Sequence, residues 1–271
     1  MSAPATARPS QLSLAVRDSS TMLRRNLLHA RRYPSLTLNL LLTPIMLLLL
    51  FVYIFGDTMS AGISGGGPDR SVYIAYIVPG LLLMTIGSTT IGTAVSVATD
   101  MTEGIIARFR TMAIHRGSIL IGHVIGSVLQ SILSVVLVGA VGVAIGFRST
   151  DATVLEWLAA FGLLALVALA FTWIAVGMGL SSPNAEAASN SAMPLIVLPL
   201  ISSAFVPLDA MPGWFRPIAE YQPFTPAIET LRGLLLGTAI GHNWWIAIAW
   251  CLALTVLGYY WSKSLFNRDP K

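Results

Sequence analysis

Six stretches of this chain are each long and apolar enough to cross a lipid bilayer, and no other feature restricts the fold as much. A hydrocarbon core roughly 30 Å thick needs about 20 apolar residues in a helix rising about 1.5 Å per residue. Such runs lie at about 36–55, 72–99, 118–146, 154–180, 185–206 and 244–261. The 271 residues are 55% hydrophobic and only 10% charged, with a mean hydropathy of +0.75, well outside the composition of soluble domains. Lipid offers no partner to a bare peptide group, so segments of this length must cross as helices. The expected fold is an all-α integral membrane protein with six transmembrane helices. Around them come a disordered tail at 1–11, an interfacial helix at 12–33, and a single six-span domain at 34–271. A short helix between spans two and three and a re-entrant helical hairpin before span six complete the outline.

Charge placement predicts the orientation, because Lys and Arg in short loops are retained on the cytoplasmic side. With the N-terminus inside, 12 of the 16 Lys and Arg residues fall on the cytoplasmic side, and only Arg70, Arg148, Arg216 and Arg232 fall outside. Both termini and the 100–117 loop are therefore expected in the cytoplasm of a plasma (inner) membrane protein. The net charge of +4 comes from residues flanking spans, where they meet anionic headgroups, and it does not point to nucleic acid. The one cysteine, Cys251, lies in the last span and can form no intrachain disulfide.

Between the spans the chain is unevenly elaborate. In the 12–33 segment Leu12, Val16, Leu23 and Leu27 share a face, with Arg17, Arg24, Arg25 and Arg31 elsewhere, the pattern of a helix lying on a leaflet. The 56–70 loop is glycine-rich and expected to be flexible. Its Gly62-Ile63-Ser64-Gly65-Gly66 run matches the serine-hydrolase nucleophile pattern, but lacks the strand-turn-helix setting and the His and acid partners that chemistry needs. The 100–117 loop places Ile105, Ile106, Phe109 and Met112 at helical spacing, with Glu103, Arg108, Arg110 and Arg116 on other faces. That element is suited to contact from the water side.

Spans two and three carry small and hydroxylated residues, including Ser88, Gly92, Ser96, Gly122, Gly126 and Gln130. Such faces let helices approach closely in lipid, and the same residues could instead line a substrate path. Span five holds Pro194 and Pro199, where kinks are expected. The 207–241 segment is too broken to span and too apolar for a plain loop. It contains Pro212, Trp214, Phe215 and a helical run at 227–236 with Glu229 and Arg232 paired at i, i+3. The last span opens on Trp244 and Trp245 and closes on Tyr259, Tyr260 and Trp261, aromatic belts for two interfaces.

Energy sources within the chain are missing. All twelve acidic residues fall in loops, interfaces or helix ends, whereas ion-coupled carriers keep an intramembrane acid. No G-x-x-x-x-G-K-[ST] phosphate loop and no H-E-x-x-H is present. The chain is expected not to be catalytic alone.

Two runs then carry a specific resemblance. The sequence DMTEGIIARFRTMAIHRG at 100–117, continuing into ILIGH at 119–123, resembles the coupling segment of type-2 ABC transporter permeases, above all those of the daunorubicin/doxorubicin resistance kind. The run FVPLDAMPGWFRPIAEYQPFTPAIETLRGLLLG at 205–237 is similar to the hairpin that precedes the final span in that family. The resemblance extends over nearly the whole chain. It implies a half-transporter that pairs with a second permease copy and docks a separate ATPase subunit, which binds the ATP and Mg. By the same resemblance Asp100, Glu103, Ile106, Arg108, Phe109, Arg110 and Met112 would form the ATPase interface, Arg17, Arg24, Arg25 and Arg31 would mark the connecting helix, and Pro212, Trp214, Phe215, Glu229 and Arg232 an outer gate. The expected cargo is a hydrophobic or amphipathic molecule. A lipid or polysaccharide exporter is the nearer alternative and an ion-coupled carrier the more distant one, with an intramembrane hydrolase and a non-transporting scaffold behind them.

Overall fold

A computed structural model describes residues 34–64, 69–103, 116–149 and 151–267. Among these residues every regular element is helical. The chain begins with α1 (Pro34–Leu50), passes through a π-helical turn at Phe51–Phe55 and continues as α2 (Gly56–Ser64). Then follow α3 (Arg70–Thr102), α4 (Arg116–Ala144) and α5 (Val154–Ser181). Two short helices, α6 (Ala185–Ala192) and α7 (Pro194–Leu200), lead to α8 (Arg216–Tyr221), α9 (Phe224–Leu236) and α10 (Asn243–Phe266).

Local chemistry sets these boundaries. Asp69 caps α3 by accepting the Ser71 amide at 2.9 Å and the Ser71 hydroxyl at 2.7 Å. Those two bonds from Ser71, the hydroxyl first, hold the Asp69 carboxyl below its usual range. A capping box starts α5: the Thr153 amide donates to Glu156 Oε2 at 2.6 Å while the Thr153 hydroxyl accepts from the Glu156 amide. Gly237 closes α9 at φ +65°, a left-handed conformation that glycine adopts without strain.

Helix α3 is the axis of the molecule. Its most apolar window is 83% buried, whereas those of the first and last candidate spans are 22% buried. It packs against α1, α4, α5, α6, α7 and α9, and α10 lies mainly on α5. Several hydroxyls along α3 are satisfied within the helix: Thr85 donates to the Leu81 carbonyl at 2.7 Å, Ser88 to Met84 at 3.1 Å and Thr99 to Val95 at 2.9 Å. This is how a polar row is tolerated inside an apolar bundle. Glycines permit the closest approaches. A Cβ on Gly179 would come to 2.5 Å from the Ala94 carbonyl oxygen, and one on Gly87 would strike the Leu195 carbonyl.

The structure differs in detail from two expectations. Among the described residues five unbroken helices are long and apolar enough to cross a membrane. The 185–206 run is not one helix, because Pro194 has no N–H to continue the ladder and the chain restarts there as α7. The 56–70 loop is not structureless either. Its first half is the helix α2, which continues α1 and is tied to the start of α3 by the Arg70 guanidinium, donating to both Asp57 carboxylate oxygens at 2.8 and 3.1 Å. Ser60 adds to this, donating to the Asp57 carbonyl and accepting from the Asp69 amide.

Candidate coupling and gate sites

Helix α3 has 33 residues, roughly 50 Å at 1.5 Å per residue, so it outruns a hydrocarbon core. At the end from which the 104–115 segment leaves, it pairs with α4 through matched side chains. Thr89 shares a hydrogen bond with Ser131 at 2.7 Å. Four residues further along α3 and four residues back along α4, Thr93 pairs with Ser127, which also reaches Thr172 of α5 at 3.3 Å. Further on, His123 Nε2 lies 3.0 Å from Asp100 Oδ2, and the two side chains are only 6% and 10% exposed. Around this end Val97, Leu120, Val124, Trp173, Val176 and Phe266 form a small apolar core separate from the main one.

Glu103 follows directly, exposed, with its backbone amide bonded to the Thr99 carbonyl at 2.9 Å. Of the remaining interface residues, Ile106, Arg108, Phe109, Arg110 and Met112 lie outside the described residues, as do Arg17, Arg24, Arg25 and Arg31 of the connecting segment. Sequence reasoning did not bring Asp100 and His123 together. The signal for the pair was the antiparallel register, which brings the end of span two beside the start of span three.

At the opposite end, α9 is almost wholly buried, so its backbone is covered by protein. Arg232 is its anchor. Its guanidinium donates to Glu229 Oε1 at 2.5 Å, to the Ser203 carbonyl at 2.8 Å, and to the Tyr76 carbonyl from two nitrogens at 3.2 and 3.3 Å. It also lies 3.8 Å from the centroid of the Tyr76 ring, within cation–π range, while the Tyr76 hydroxyl donates to the same Ser203 carbonyl at 2.9 Å. One side chain thus joins α9, α3 and the 201–206 turns. The Glu229–Arg232 pair read from the sequence is present, but its partners on α3 and at Ser203 are what give it reach.

The other gate residues are separate from this node. Trp214 is 76% exposed and stands edge-on to Phe215 at 5.4 Å. The Pro212 carbonyl accepts the amides of Phe215 and Arg216 at 2.9 and 3.0 Å, which turns the chain into α8. The pathway-or-packing residues divide. Ser88, Gly122 and Gly126 are buried, Gly92 and Gln130 are half-buried, and only Ser96 is exposed. Two recesses open elsewhere: one of about 210 Å³ among Val78, Val135, Gly139, Phe147, Trp157 and Phe161, and one of about 590 Å³ among Gly162, Leu166, Leu234, Ile240 and Trp244. Both are lined mainly by apolar side chains.

Residues 18–236 match the model of the ABC-2 type transporter family. The chain is 26% identical over 255 residues to the daunorubicin resistance ABC transporter permease protein DrrB1 of Streptomyces coeruleorubidus, covering 93% of this chain and 86% of that one. It is 24% identical over 174 residues to the probable doxorubicin resistance ABC transporter permease protein DrrC of Mycobacterium tuberculosis, covering 62% of this chain and 60% of the relative. It is also 25% identical over 236 residues to nodulation protein J of Rhizobium meliloti, covering 80% and 82%. A match spanning most of the chain, together with its several apolar helices, leads to one conclusion: this multi-pass membrane protein belongs to the ABC-2 type transporter family, as a permease subunit.

Proposed function

We propose that this chain moves a hydrophobic or amphipathic molecule, of drug, antibiotic or lipid-like character, out of the cell, driven by ATP hydrolysed on a separate ATPase subunit. The observation that carries the reading is the family match across residues 18–236, in a chain whose own sequence has no phosphate-binding loop. ATP and Mg belong to the partner. Charge asymmetry puts both termini and the 104–115 segment on the cytoplasmic side of the plasma membrane, where the ATPase can dock along Glu103 and the residues through Met112. A second permease copy, identical or not, completes the pathway.

The apolar recesses beside Trp157 and Trp244 favour a hydrophobic cargo over a polysaccharide, which would need a lining rich in hydroxyl and amide groups. The drug-resistance names of two relatives point the same way. When the chain is purified with an affinity tag from its native host, an ATPase carrying a phosphate-binding loop is expected in the eluate at roughly one copy per permease. Its reproducible absence in mild detergent, with the chain intact and folded, would remove the reading.

A further inference from the structure

The Asp100–His123 pair is a buried ionisable contact, with the two side chains only 10% and 6% exposed. Buried carboxylates and imidazoles near a membrane are costly and are kept for a task. We propose that Asp100 and His123 are positioning residues that clasp the two ends of the 104–115 segment, so that a load applied there moves α3 and α4 as one body. The proposal rests on the reading of 104–115 as the ATPase docking segment.

Geometry supplies the reasons. The segment leaves α3 just after Thr102 and re-enters at Arg116 of α4; the Thr89–Ser131 and Thr93–Ser127 bonds already tie the two helices together further from it, and the Asp100–His123 bond extends that tie to the residues beside the segment. Apolar contacts such as Val97 with Val124 do not oppose sliding strongly, because they are non-directional. A hydrogen bond from an imidazole N–H to a carboxylate is directional, and shielding from water strengthens it. At 3.0 Å it fixes the register of α3 against α4 at the point where the segment begins. The small core beneath the clasp extends that grip to α5 and α10. Trp173 and Phe266 belong to it, and the Ser262 hydroxyl of α10 donates to the Trp173 carbonyl at 3.2 Å.

Asp100 lies seven positions beyond Thr93 on α3, roughly 10 Å of helix axis. Between them Ala94, Val97 and Ala98 are buried and apolar, Ser96 is exposed, and the Thr99 hydroxyl donates to the Val95 carbonyl at 2.9 Å.

The test uses the permease with the ATPase that co-purifies with it, in proteoliposomes, reading cargo moved per ATP hydrolysed. The double substitution Asp100→Leu/His123→Leu removes both members of the pair together. It is expected to keep ATPase binding within about twofold while lowering transport per ATP about tenfold. Asp100→Asn retains an acceptor for the imidazole N–H and is expected to keep coupling near wild type. Unchanged transport per ATP in the leucine pair overturns the clasp, and so does loss of transport in Asp100→Asn with the complex intact, which would mark a proton carrier. If the leucine pair fails to assemble, amide hydrogen exchange on the wild-type chain decides. Amides at 100–103 and 116–123 protected as well as those of α9 support the clasp, and exchange at the rate of unstructured chain overturns it. Replacing 104–115 by a glycine-serine run of equal length tests the docking reading separately. If the ATPase stays bound, that reading falls whatever the leucine pair does.

Discussion

Arg232→Leu is expected to destabilise the chain by about 3 kcal/mol, because it breaks a largely buried charge pair and strands its acceptors. Arg232 is 11% exposed and Glu229 27% exposed, so water can compensate the glutamate better than the carbonyls of Tyr76 and Ser203. Those two carbonyls are the larger loss. Glu229→Gln, which removes the charge but leaves an amide oxygen as acceptor, should cost much less. Arg232→Lys should fall between, since one ammonium cannot reproduce the planar fork that reaches Glu229, Tyr76 and Ser203 together. Thermal unfolding in detergent checks the order. If Arg232→Leu proves no less stable than Glu229→Gln, the three-way anchor is not what holds α9 in place.

A chain carrying Glu103→Lys with Arg108→Glu is expected to insert and fold normally, yet to lose its ATPase partner and ATP-driven transport by about thirtyfold or more. Reversing charges that face a complementary surface turns attraction into repulsion, at 2 kcal/mol or above for desolvated pairs. Glu103 is exposed at the end of α3, so its reversal leaves the bundle undisturbed. Co-purification and transport are the readouts. Normal values for both would count against docking at this segment.

Much of this architecture is written in the sequence as period and length. Apolar runs set α3, α4, α5 and α10 close to their observed bounds, because lipid permits little besides a helix. The Glu229–Arg232 spacing was readable for the same reason, as i, i+3 neighbours share a helix face. What stayed hidden depends on contacts between elements. Gly56 and Gly62 argue for a loop by propensity, yet α2 forms where Asp57 finds Arg70 thirteen residues away. Pro194 announces a bend, but not that the whole 185–206 run divides into α6 and α7. Asp100 and His123 are 23 residues apart, and only the register of α3 on α4 joins them. The acceptors of Arg232 at Tyr76 and Ser203 are backbone carbonyls, which every residue has, so no side-chain pattern marks them.

Transport by the purified chain in proteoliposomes, with and without its co-purifying ATPase, bears most directly on the account. A lipophilic cationic dye trapped with the protein should move only when the ATPase and Mg-ATP are both present, and the flux should ignore imposed proton or sodium gradients. Flux from the permease alone, driven by an ion gradient and indifferent to ATP, would contradict it.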